Sequence, residues 1–163
     1  MRDQPSEFVF DLPDEGIGAT TSEELALALA RIGAALEAQR VELFQRVHQD
    51  AGGVMALVGW WAALGHDDDP VSDQAIPTSW FPWSLGNIRP ASHVFVRNAA
   101  PLPFHPWSTM RLRDVGMGSA LHLPLREDLT VDGALCVYWS EERDNWPTEA
   151  YERVFDLGRN LLT

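Results

Sequence analysis

The sequence predicts an α+β fold built on a central antiparallel sheet, and three observations predict it. Two β-rich runs, 119–125 and 131–139, flank a short polar connection holding Arg126, Glu127 and Asp128. Bounded by Gly116, Gly118 and Ser119, with Gly133 and Ala134 inside the second run, they read as an antiparallel hairpin. Both runs are apolar on both side-chain faces, so the hairpin belongs mid-sheet with cover on each side. Finally, apolar residues recur at helical spacing near both ends of the chain. The order helix, two strands, irregular segment, strand, short helix, two strands, helix is that of an α+β domain.

The elements follow in turn. Residues 1–20 read as an acidic, proline-broken arm, with Phe8, Val9 and Phe10 its only apolar cluster. Residues 21–163 read as one domain. Thr21 and Glu24 have capping-box spacing, and Leu25, Ala28, Leu29, Ile32, Ala35 and Leu36 form the stripe of a first helix. Leu27 and Ala34 lie off that stripe and widen the apolar face. Residues 41–48 and 54–62 read as strands joined by the turn-forming Gln49-Asp50-Ala51-Gly52-Gly53. Residues 65–70 form a polar loop. Its His66, Asp67, Asp68 and Asp69 point in different directions on a loop and do not make a metal site. The segment 76–88 is aromatic and broken by proline. Val94, Phe95 and Val96 centre a third strand over 92–97, and 107–115 reads as a short helix. After the hairpin, Pro147 and Thr148 start a last helix whose stripe is Tyr151, Val154, Phe155, Gly158, Leu161 and Leu162. It runs to the final residue with no stop signal, as expected if an output domain follows and equally of a simple fragment boundary.

Composition narrows the function classes. Among 163 residues, Asp plus Glu number 24 against 12 Lys plus Arg, a formal net charge of -12. Such a chain repels phosphate backbones, so nucleic acid is not an expected partner. The single cysteine, Cys136, allows no internal disulfide and fits a reducing, cytoplasmic setting. No apolar run reaches the roughly 18 residues of a membrane span.

Four stretches carry a family resemblance. They are Leu29-Ala30-Arg31-Ile32-Gly33-Ala34-Ala35-Leu36 running into Val41-Glu42-Leu43-Phe44, Ser79-Trp80-Phe81-Pro82-Trp83, 116–125, and Gly133-Ala134-Leu135-Cys136-Val137-Tyr138 followed by Trp146 and an amphipathic helix. In this order and spacing the chain resembles a GAF domain, a sensory module of bacterial signalling proteins. It departs from the family at Gly118, where a basic residue is frequent. The resemblance implies a GAF-like fold, related to the profilin and PAS architectures. Its central antiparallel sheet has five or six strands, with the N- and C-terminal helices on one face. Short helices and loops enclose a cavity on the other. It also implies the company of histidine kinases, diguanylate cyclases or phosphodiesterases, and transcription regulators.

Most chemistries known for the family are not supported by these residues. Methionine sulfoxide reduction needs several cysteines, and Cys136 has no partner thiol. A bilin attachment cysteine is not expected in the middle of a strand. Haem needs an axial histidine; His93, His105 and His122 are the candidates, His122 the best placed, and each has an ordinary structural reading. The polar motif of cyclic-nucleotide members is absent. Gly116-Met117-Gly118-Ser119 enters a strand, whereas phosphate loops open a helix. It also lacks the nucleophile turn of a hydrolase.

What remains is a non-catalytic sensory module with an aromatic small-molecule pocket. Its expected lining is Trp80, Trp83, Phe95, Met110, Ser119 and Leu121, with Arg111 or Arg113 supplying positive charge. The rival reading is that these aromatics fill the space themselves. No metal is expected, no cofactor is identified, and the ligand is an unidentified small molecule. The alternative function is a ligand-free dimerisation and relay module, a homodimer through the terminal helices. Either role accommodates a fused or associated output domain.

Overall fold

The periodicity of the first helix is realised as α1, Ser22–Ala35. Leu25, Ala28, Leu29, Ile32 and Leu36 are buried, while Leu27 stays 55% exposed on the opposite side. The helix ends in a Schellman arrangement: Ala38 N–H donates to the Gly33 carbonyl at 2.8 Å and Glu37 N–H to Ala34 at 3.2 Å. Glu37 takes the left-handed conformation, φ 54°, that glycine usually fills. A further end carbonyl, Leu36, accepts from the Trp139 indole Nε1 at 3.0 Å.

The computed structural model describes residues 22–47, 54–63, 65, 76–77, 93–97, 116–127 and 130–162. The arm at 1–20, nearly all of the polar loop, the aromatic segment 78–88 and the short helix expected at 107–115 lie outside them. Six strands are described: β1 Arg40–Val47, β2 Val54–Ala62, β3 Ile76–Pro77, β4 Val94–Arg97, β5 Ser119–Glu127 and β6 Thr130–Trp139. They form one sheet in the order β3-β2-β1-β6-β5-β4, antiparallel at every neighbour. The predicted hairpin is β5–β6, and it sits inside the sheet as its apolar faces required. β3 is the strand the sequence does not announce, because two residues are too few to show alternation.

A 3₁₀ turn, Thr148–Ala150, leads into the last helix, α2, Tyr151–Leu161. α1 lies over β1 and β2, and α2 over β5 and β6. Both occupy the same face. Their buried stripes join Val41 and Leu43 of β1, Leu121, Leu123 and Leu125 of β5, and Leu135, Val137 and Trp139 of β6 in one core. The opposite face carries a second cluster that includes Phe44, Met55, Ile76, Ala120, Cys136 and Tyr138. No described helix packs on this side.

Two close approaches fix the middle of the sheet. At Gly133, on β6, a Cβ would run into the Phe44 backbone carbonyl of β1 and the Leu162 side chain beyond α2. β2 is bulged at Val58, the extra residue between the pairs Leu43–Gly59 and Phe44–Leu57, which adds local twist. Gly133→Ala is expected to destabilise by about 1–3 kcal/mol, because the crowded atom is backbone and cannot rotate away. The urea midpoint should fall at unchanged m.

Candidate functional site

Strand alternation sorts the central residues onto two sides. On β1, Val41 and Leu43 meet the helices, so Arg40, Glu42 and Phe44 project to the second face. Register then aligns a row across five strands: Trp60 opposite Glu42, Glu42 opposite Cys136, Cys136 opposite His122, and His122 opposite Val94. In the next row Arg40 stands opposite Tyr138, and Tyr138 opposite Ala120. The apolar sheet therefore concentrates a guanidinium, a carboxylate, an imidazole, a thiol and a phenol at its centre. Arg40, Glu42, His122, Cys136 and Tyr138 are all 0% exposed.

The charges are placed against one another. Arg40 Nε donates to Glu42 Oε1 at 2.8 Å. The i, i+2 spacing on one strand keeps both side chains on the same face. The guanidinium also lies 4.8 Å from the centroid of the Trp60 ring, a stacked cation–π contact. Buried charges persist only when paired in this way. In the same row as Glu42, His122 Nδ1 lies 3.3 Å from Cys136 Sγ, and the His122 ring meets Tyr138 of the next row edge-on at 6.3 Å. This set offers hydrogen-bond donors and acceptors on a stiff, apolar platform, the usual ground of a small-molecule site. Among the described residues no group of three His, Cys, Asp or Glu could hold a metal ion.

The residues expected from sequence divide into two groups. Trp80, Trp83 and Met110, with Arg111, Arg113 and His105, lie outside the described residues. Phe95, Ser119 and Leu121 stand on the helix side of the sheet, and His122 on the other. Leu121 is fully buried in the helix-side core. Phe95 packs edge-on against Trp139 at 5.9 Å. The Ser119 hydroxyl is spent on the loop after β6: it donates to the Glu141 carbonyl at 2.8 Å and accepts from Arg143 N–H at 2.7 Å. His122 does face the second side, whereas His93 is on the helix side, 4.8 Å from Trp146 and 5.4 Å from Tyr151 between ring centroids. Burial holds the His93 imidazole below its ordinary pKa of 6.5. Sequence reasoning missed Arg40, Glu42, Trp60 and Tyr138. The available signal was a pair of opposite charges two residues apart in an otherwise apolar run.

A separate groove of about 460 Å³ opens at the end of α1, lined by Glu37, Arg143, Asn145, Trp146, Thr148 and Glu149 among others. It belongs to the helix side, where Leu36 and Trp146 join the helix-side core.

No protein-family model matches the chain, and no curated protein matches it in sequence. Solved structures do match. The PixJ GAF domain of Thermosynechococcus elongatus, in its blue-light-absorbing form, is 17% identical with a TM-score of 0.62, covering 85% of this chain and 80% of that one. The GAF domain of a two-component sensor histidine kinase from Bacillus halodurans is 14% identical with a TM-score of 0.63, covering 88% and 92%. NreA of Staphylococcus aureus, solved with a mutated nitrate-binding site, is 11% identical with a TM-score of 0.61, covering 85% and 98%. The chain has the GAF fold, the α+β architecture expected from its sequence.

Two expectations follow from the geometry. Arg40→Met should cost about 3–5 kcal/mol by leaving the Glu42 carboxylate buried without its counter-charge, whereas Arg40→Met/Glu42→Leu should recover most of that loss. Urea unfolding of the two variants measures the difference. For His93, the uncharged form is favoured in the folded state. Stability is therefore full above pH 6.5 and falls as acid protonates the unfolded chain first, levelling off below the depressed folded value. His93→Gln should make the melting temperature less sensitive to pH between about 7 and 5.

Proposed function

We propose that this chain is a non-catalytic sensory module of a bacterial signalling protein, which binds a small molecule on the second face of the sheet and relays the change through α1 and α2. The observation that carries this reading is the pair of adjacent buried rows that hold Arg40, Glu42, His122, Cys136 and Tyr138 on the face opposite the helices. The fold neighbours support it: one is a light-absorbing receptor domain and another belongs to a sensor kinase. Trp80, Trp83 and Met110 remain in the proposed lining, now around the polar rows. A covalently attached chromophore has no support at Cys136, which is buried mid-strand against His122.

The relay is short. β1 presents Arg40 and Glu42 to one layer and Val41 and Leu43 to the other, so displacement of that strand moves both. Ligand binding shifts such an equilibrium only by its differential affinity for the two states. A fused output domain would receive the change from the helices. No helix among the described residues is long and apolar enough to cross a membrane, and the acidic composition and single cysteine suit the cytoplasm.

The second reading, a ligand-free dimerisation module, is favoured by Leu27, 55% exposed on the outer side of α1 at helical spacing from Ala30 and Ala34. A thermal-shift screen over nucleotides, amino acids, organic acids, inorganic anions and haem decides between them. A specific ligand at about 100 times its Kd adds about 2.7 kcal/mol, a rise of roughly 5–10 °C for a chain of this size. Silence across the screen, together with a dimer in sedimentation velocity, would favour the second reading.

A further inference from the structure

We propose that the groove at the end of α1 is a second binding site, suited to a small molecule that carries one carboxylate and two cationic groups, the chemistry of a free basic amino acid. The groove lies on the helix side of the sheet. The inference therefore goes beyond the reading of the second face and does not rest on it.

The acceptors come from the end of α1 and from the turn that starts α2. A helix C-terminus leaves carbonyls without donors and carries partial negative charge. Here the closing bonds fall on Ile32, Gly33 and Ala34, and Leu36 accepts from Trp139. Gln39 N–H, the regular donor for Ala35, goes instead to the Tyr138 carbonyl. The Ala35 carbonyl is passed over, and Ala35 lines the groove. Glu37 and Glu149 each add a carboxylate, one just beyond α1 and one in the turn Thr148–Ala150. Neither takes part in an ion pair among the described residues.

The donors come from the loop after β6. The Arg143 guanidinium lies 5.1 Å from the centroid of the Trp139 ring, and no carboxylate among the described residues pairs with it. Stacking engages its face and leaves its fork of N–H groups for a carboxylate. Trp146 lines the same groove. It is 4% exposed, and its indole Nε1 is buried without a hydrogen-bond partner. Such a donor is unusual in a folded chain, and a ligand carboxylate supplies the acceptor it lacks. The loop is tied down at three points. Ser140 N–H donates to Gln39 Oε1 at 2.8 Å, Arg143 N–H to Ser119 Oγ at 2.7 Å, and Arg97 pairs with Asp144 at 3.0 Å. Walls already held in place lower the cost of binding. Two carboxylates and one guanidinium match two cations and one carboxylate, and about 460 Å³ is within the range of small-molecule pockets.

Isothermal titration calorimetry with L-lysine tests this on the wild type, Arg143→Gln, Glu149→Gln and Trp146→Phe. The wild type should bind L-lysine. Cadaverine, which lacks the carboxylate, and L-norleucine, which lacks the side-chain ammonium, should bind at least about tenfold more weakly. Arg143→Gln and Trp146→Phe should weaken L-lysine and leave cadaverine unchanged, whereas Glu149→Gln should weaken L-lysine and leave L-norleucine unchanged. Circular dichroism establishes which variants fold. Glu149 is exposed, so Glu149→Gln carries the test if a variant in the loop does not fold. Absence of L-lysine binding to the wild type, equal binding of cadaverine or L-norleucine, or L-lysine binding left unchanged in any folded variant would overturn the proposal.

Discussion

The pleat of three central strands is the constraint on which the rest of the molecule depends. β1, β6 and β5 are buried on both sides, so each residue along them is committed to one of two layers. A slip of one position would drive Arg40 and Glu42 into the helix core and lift Val41 and Leu43 out of it. The close approach of Gly133 to the β1 backbone locks one side of that arrangement. The bulge at Val58 of β2 takes up the register shift on the other. Helix docking and the polar rows are thus set by a single register.

That arrangement places unlike environments a strand's thickness apart. On the helix side the contacts are aliphatic and aromatic, and the few polar groups serve to tie ends together. Trp139 reaches the end of α1, and Ser119 clamps the loop that leads to α2. Gln39 adds a third tie, accepting from Ser140 N–H at 2.8 Å. On the other side the polar groups lie at the centre of the sheet rather than at its margins. Placing an ion pair there gives little net stability compared with apolar packing.

Much of the architecture was legible in the sequence, and the reasons it was legible also mark where reading stopped. α1 and α2 announce themselves because a helix buried on one side shows its period. The β5–β6 hairpin announces itself through two apolar runs with small residues at their starts, and β2 spans the residues expected of it. The phase of the central strands was not legible. When both faces are buried, apolar residues fill both parities, so nothing in Leu121-His122-Leu123 says which side meets the helices. The helix-side position of Phe95, Ser119 and Leu121 is thus fixed by register and not by any local pattern. Arg40 carries no such signal, because a charged residue at the start of a strand usually faces solvent. Its burial depends on a partner two residues later and on Trp60 from the neighbouring strand. Those are tertiary facts that no local pattern carries. The Trp80, Trp83 and Met110 segments lie outside the described residues, and their part in the site remains a proposal.

The position of the lone thiol gives the molecule an internal clock. Cys136 lies mid-sheet and fully buried, so an alkylating reagent can reach it only when the second face opens. Its rate of modification in native buffer counts those openings, much as amide exchange does for backbone protons. Any compound that closes the polar layer would slow the count, and one that loosens it would hasten it, with no label added and no residue changed.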